Sequence, residues 1–307
     1  MLVMKDRKLL FLGGKGGVGK TTLSCALALL FVKRNYRTLL ISTDPAHSVP
    51  DLLGDEEDEL NYLCIDAKEL AKDYVKSALR SVEPLVSPET FRDIREVFHA
   101  VEHTPGTEEA VIVDALSRII TERWNDYARF VVDTAPTGHT LTMLRTVGRL
   151  GKWIEELLER KSKARRLTKA AGVEGTDESI LRILRDRRER FFRFAEILSS
   201  QKSAFIPVLV PEKLPIEETK RLYRELTSMG MNVDILIVNK IMPPNPKDPF
   251  FASRKEQEKN YLREIRESFP RTKIVEISMR ERDVRDRADL LDLSHELEEK
   301  LWYHNKI

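Results

Sequence analysis

Short, almost unbroken apolar runs alternate along the chain with longer stretches in which apolar residues recur every three or four positions. The runs at 8–12, 38–42, 129–133, 203–210, 234–239 and 273–277 are rich in Val, Ile, Leu and Phe. A strand wet on one face alternates apolar and polar residues. These runs do not, so they are predicted to be strands covered on both faces of a parallel sheet. Helical patterns at 21–33, 216–228 and 256–269 supply the crossovers that parallel neighbours need. Pro207 argues against the fourth run as a central strand, because proline donates nothing to a ladder.

Two regions interrupt the alternation. Residues of approximately 67–125 read as consecutive helices punctuated at Pro84, Pro88, Pro105 and Gly106, and 145–200 as helices around a turn near Gly172 and Gly175. The expected fold class is α/β: a mostly parallel, doubly wound sheet carrying an inserted helical subdomain, all within one domain spanning 1–307.

With 307 residues the chain can bury a large core without disulfides. Its 52 basic and 50 acidic residues leave a net charge of +2, which excludes a globally polybasic nucleic-acid binder. The longest apolar run, 24–32, is far shorter than the about 20 residues that span a bilayer, and the first residues lack a signal-peptide layout, so a cytoplasmic protein is expected. Cys25 and Cys64 form neither a disulfide framework nor a metal-binding spacing and read as buried small hydrophobes. Few Gln and Cys beside many Lys, Arg and Glu suggest a thermophilic source.

The candidate chemistry follows the first strand. Gly14, Lys15, Gly16, Gly17, Val18, Gly19, Lys20 and Thr21 match G-x-x-x-x-G-K-[ST] at every fixed position, with a strand before and a helix after. Such a loop turns successive backbone N–H groups toward phosphate oxygens, and the helix beginning near Lys20 adds its positive end. Lys20 is expected on the β- and γ-phosphates and the Thr21 hydroxyl on Mg²⁺, with Thr22 beside them. Asp44 follows the second strand and Asp133 ends the third, both facing the ligand crevice of an open α/β sheet. Asp44 is placed to orient or deprotonate an attacking water, and Asp133 to meet Mg²⁺ through a water. Pro45 and His47 accompany Asp44 in one switch segment. Gly138 and His139 accompany Asp133 in another, where Gly138 supplies a hinge.

Taken together, GGKGGVGKTT at 13–22, DPAHS at 44–48 and DTAPTGHTL at 133–141 resemble the ArsA family of P-loop ATPases. That family includes arsenite-pump ATPases and cytosolic factors that target tail-anchored membrane proteins. Fainter likeness continues through Pro105-Gly106-Thr107-Glu108-Glu109 and Pro211-Glu212-Lys213-Leu214-Pro215 to Asn239-Lys240. The resemblance implies a Mg²⁺-dependent ATPase, with ATP as substrate, working as a nucleotide-gated homodimer. It implies that Lys15 crosses the dimer interface to the partner's nucleotide, that Glu212 and Asn239 belong to the nucleotide site, and that Asp44 helps to activate water.

The chain also departs from the family. Targeting factors often carry a CxxC after the adenine strand, where two subunits share a zinc. Here that segment reads Asp248-Pro249-Phe250-Phe251-Ala252-Ser253-Arg254, so no zinc is expected and ATP must help to hold any dimer. Arsenite pumps sense the metalloid through thiolates and fuse two ATPase halves, whereas this chain has one half and two cysteines. The client groove of targeting factors is often Met-rich. Residues 145–200 hold no methionine, and 15 Lys or Arg face 9 Asp or Glu, so a solvated helical face, client binding and docking to an anionic surface all remain open. His99-x-x-Glu102-His103 repeats the spelling of a zinc-protease helix, but it has no third ligand and runs into Pro105. The favoured partners are a second copy and a membrane-protein client or membrane receptor, with no specific nucleic acid. A metalloid-efflux subunit and a MinD- or ParA-like positioning switch are the alternatives.

Overall fold

In a computed structural model, residues 4, 6–44, 48–54, 60–82, 106–135, 145, 155–156, 159, 178–244 and 248–303 are described. The chain divides into two compact units, one of Met1–Asp66, Asn125–Leu141 and Leu198–Ile307, the other of Ala67–Trp124 and Thr142–Ile197.

The first unit is built on one sheet of seven parallel strands in the order β3-β2-β4-β1-β5-β6-β7. The strands are β1 Leu9–Gly13, β2 Thr38–Ser42, β3 Leu60–Cys64, β4 Arg129–Asp133, β5 Ser203–Leu209, β6 Ile235–Ile241 and β7 Lys273–Ser278. β1, β2, β4 and β5 are buried along their whole length, which explains their apolar centres, with buried polar groups such as Arg129 and Asp133 kept to strand ends. The sequence pattern had missed β3. It pairs with β2 alone at the sheet edge, and only Leu60 is fully buried, so LNYLC carries neither a continuous run nor a clean alternation. Pro207 does sit in a strand between two neighbours. It opposes Gly13 of β1, while the ladder to β6 is recorded only at Val208 and Leu209.

Both faces of the sheet are covered. On one, Leu10, Leu12, Leu40, Val131, Ile206 and Ile237 pack against α1 (Lys20–Lys33), α2 (Ser48–Leu53) and, after the helices named next, α8 (Arg287–Glu298). On the other, Leu209, Leu236 and Val238 meet α6 (Lys213–Ser228) and α7 (Pro249–Ser268) through Ile216, Leu262, Ile265 and Phe269. A π-helical turn, Glu299–Tyr303, follows α8. It sets Trp302 edge-on to Phe31 of α1, with the Arg34 guanidinium 4.4 Å over the Trp302 ring. Helices α6 and α7 begin earlier than their periodicity suggests because Pro215 and Pro249 lie in first turns, where no intrahelical N–H is needed. The Asp248 carboxylate caps α7 by accepting from the N–H groups of Phe250 and Phe251.

The second unit contains α3 (Ala67–Val82), α4 (Thr107–Glu122) and most of α5 (Glu178–Ser199). The basic stretch of α5 is partly structural: Arg187 and Arg190 converge on Asp114 of α4 at 3.0 and 2.6 Å. Phe191 and Phe194 are buried and Phe192 is exposed. The His99–His103 segment lies outside the described residues.

Candidate functional site

The sheet order changes direction around β1, whose neighbours are β4 and β5, and ligands of open α/β sheets bind at the C-terminal ends of such strands. The loop after Gly13 occupies that position. Gly17 and Gly19 have φ of +80° and +93°, a region that glycine enters without a Cβ penalty. Gly19 is also the N-cap of α1 and supplies no side-chain cap, and no acidic residue lies in the first turn. The helix therefore presents its positive end and unpaired N–H groups to an anion.

Gly16, Gly17, Gly19, Lys20, Thr21, Thr22, Asp44 and Asn239 line one cavity of about 630 Å³. The Lys20 ammonium folds back to donate to the Lys15 carbonyl at 3.3 Å. Burial lowers its pKa, and the nearby Asp133 and Asp44 carboxylates oppose the shift. Asp133 is fully buried, accepting from Ser24 at 3.3 Å on one oxygen and from Ser42 at 3.2 Å on the other. Burial pushes its pKa up to about 6, against the Thr21 hydroxyl hydrogen bond and the Lys20 charge, which lower it. The second-strand turn is tied to the fourth strand through Thr43, whose N–H and hydroxyl both reach the Asp133 carbonyl, at 2.9 and 3.2 Å.

Among the described residues no group of three His, Cys, Asp or Glu could cage a metal. One hydroxyl and one buried carboxylate, joined to each other as Thr21 and Asp133 are, fit magnesium instead, which keeps several waters and shares phosphate oxygens. A divalent cation would also hold Asp133 ionised against its burial.

Other candidates are set apart. Lys15, Val18 and Glu212 line a second cavity of about 590 Å³, which adjoins the first through Gly16, Gly17, Lys240 and Met279. There Lys15 pairs with Glu218 at 3.4 Å, and Glu212 lies 3.8 Å from Arg254, both pairs well exposed. Gly14 lines neither cavity. Pro45, His47, Gly138 and His139 lie outside the described residues. Two groups escaped the sequence reading. One is the end of β7 and the turn after it, where Ser278, Met279, Arg280, Arg282, Asp283 and Val284 wall the larger cavity. Its place after the last strand was the available signal. The other is the place of Lys240, named in the sequence only within the family likeness and given no role there, which lines both cavities.

The sequence model of a family described as Anion-transporting ATPase (ArsA_ATPase) matches residues 7–299. A putative arsenical pump-driving ATPase 2 from Aquifex aeolicus (strain VF5) is 42% identical over 284 residues, covering 90% of this chain and 94% of the relative. An ATPase ASNA1 homolog from Entamoeba dispar is 31% identical over 323 residues, covering 98% and 96%. One of the same description from Dictyostelium discoideum is 29% identical over 290 residues, covering 91% and 85%.

Proposed function

The chain belongs to the ArsA family of anion-transporting ATPases and hydrolyses ATP, and from that premise we propose that it is a Mg²⁺-dependent, nucleotide-gated homodimer that escorts a membrane-protein client. The carrying observation is the single cavity in which six loop residues meet Asp44 and Asn239, with one of the six, Thr21, hydrogen-bonded to the buried Asp133. Lys20 and the loop N–H groups hold the β- and γ-phosphates. The Thr21 hydroxyl and, through water, Asp133 would hold Mg²⁺, which would supply neutralisation of phosphate charge there. Asp44 orients the water that attacks the γ-phosphorus in line, so ADP leaves and inorganic phosphate is released. Lys15, on the exposed side of the loop, completes the partner's site.

Asp44→Asn tests the chemistry. It is expected to bind ATP with little change and to turn over at least about a hundredfold more slowly, the scale of a lost water-orienting group. Normal turnover in that variant refutes the assignment. The homodimer is tested by activity per subunit, which should rise with protein concentration.

Client escort is favoured over metalloid pumping because the chain holds two cysteines and Cys25 is fully buried, leaving no thiolate triad for arsenite. The name of the 42% relative favours the second reading, an arsenical-pump ATPase. Co-expression with a protein bearing one C-terminal transmembrane helix separates them. A nucleotide-dependent soluble complex supports escort, and arsenite-stimulated turnover without such a complex supports the pump. Among the described residues no helix is long and apolar enough to cross a membrane itself.

A further inference from the structure

Near its end β6 breaks register. Its pairing with β7 shifts between Val238 and Ile241, so Asn239 and Lys240 form a bulge. Lys240 has φ of +58°, one of two non-glycine residues with positive φ among those described. Bulges and left-handed non-glycine residues are unfavourable locally and concentrate where a side chain is re-aimed at a site. Here both side chains are aimed at the phosphate loop. Asn239 Nδ2 donates to the Val18 carbonyl at 2.8 Å, and Lys240 Nζ donates to the Gly17 carbonyl at 3.1 Å. The Asn239 side-chain carbonyl in turn accepts from the Lys240 N–H at 2.9 Å, which locks the bulge. Gly19 leaves the room this needs: a Cβ there would lie 2.5 Å from Asn239 Nδ2.

A trans peptide is planar, so its carbonyl and its N–H point in opposite directions. Holding the Gly17 carbonyl toward Lys240 turns the Val18 N–H away from the bulge, and holding the Val18 carbonyl toward Asn239 does the same for the Gly19 N–H, leaving both free for an anion. We propose that the Asn239–Lys240 bulge is a clamp that presets the phosphate loop for anions, with Lys240 as its positioning residue for ATP. The inference rests on the reading that this loop holds the phosphates of ATP. Lys240 acts through backbone carbonyls, so it serves ground state and transition state alike. Its loss should therefore raise KM and leave kcat nearly unchanged.

The test compares wild type with Lys240→Gly, Lys240→Met and Lys240→Arg. Glycine relaxes the left-handed backbone, so Lys240→Gly is expected to unfold at the same urea concentration as wild type or a higher one. In the same variant, ADP affinity and the inhibition constant of inorganic tripolyphosphate should both weaken about tenfold, the scale of a charge-assisted hydrogen bond. KM for ATP should rise by a similar factor, with kcat within about twofold. Lys240→Met should lose affinity equally, and Lys240→Arg should recover it to within about threefold. Unchanged ADP and tripolyphosphate affinity in Lys240→Gly overturns the clamp. So does weakened ATP binding with unchanged tripolyphosphate, because Lys240 would then serve the base and not the loop. Wild type that binds no ADP refutes the nucleotide reading itself, a result separate from both.

Discussion

Two loop glycines with similar backbones but different surroundings allow the cost of conformation to be separated from the cost of contact. Gly17 and Gly19 both have positive φ, at +80° and +93°. A Cβ on Gly17 meets nothing within 4 Å, whereas one on Gly19 would stand 2.5 Å from Asn239 Nδ2. An alanine in the left-handed region costs about 1–2 kcal/mol, and the stiffer unfolded chain returns about 0.4–1 kcal/mol. Gly17→Ala is therefore expected to destabilise by roughly 0.5–1.5 kcal/mol. Gly19→Ala carries the same backbone cost and also displaces Asn239 from the Val18 carbonyl, forfeiting a hydrogen bond worth about 1 kcal/mol and adding crowding of similar size. Its total is roughly 2–3.5 kcal/mol. Equilibrium urea unfolding of the nucleotide-free protein reads both, as midpoint shifts at constant m. Repeating the pair in an Asn239→Ala background closes a double-mutant cycle, in which the excess at Gly19 should vanish. A Gly19→Ala cost no larger than that of Gly17→Ala, or an excess that survives without Asn239, refutes the reasoning.

Two further outcomes follow from buried ionisable groups. Asp133 has a folded pKa of about 6, above its ordinary 3.8, so its contribution to stability is full below about pH 4 and is lost as pH rises through 6. In nucleotide- and metal-free protein, the difference in unfolding free energy between Asp133→Asn and wild type should move in favour of Asn by up to about 3 kcal/mol between pH 4 and 7. A pH-independent difference counts against this. Burial holds the Cys25 thiol far above its usual range, with the Asp133 charge adding to the effect. Iodoacetamide at pH 8 should spare Cys25 in native protein and modify it in urea, as peptide mass spectrometry would show. Rapid native labelling contradicts its burial.

Most of the sheet is legible in the sequence because burial on both faces demands mostly apolar residues, as in LLFLG of β1 and the Phe130–Val132 centre of β4. β3 escaped for the opposite reason, an edge strand with a mixed face. Pro207 misled because the ban on proline concerns the missing N–H, and β5 has no recorded β6 partner at that residue. The phosphate loop was equally legible, since its chemistry is contiguous in the chain. The Asn239–Lys240 contacts were not: they join a strand bulge to a loop more than 200 residues earlier. Neither a register shift nor a positive φ at a lysine leaves a compositional mark. The turn after β7 escaped similarly, because only the folded sheet carries it to the loop.

The position of β1 has a consequence for synthesis. This strand emerges first, yet it lies in the middle of the sheet, and the neighbours that cover its edges are β4, beginning at Arg129, and β5, beginning at Ser203. At about 5–20 residues per second, a ribosome needs roughly 10–40 s to make the chain between β1 and β5. For that interval the edge of β1 that pairs with β5 waits without its partner, although β2 and β4 are made earlier. Nascent chains arrested before residue 203 should therefore be protease-sensitive and prone to aggregate, and resistance should appear only once β5 has cleared the exit tunnel.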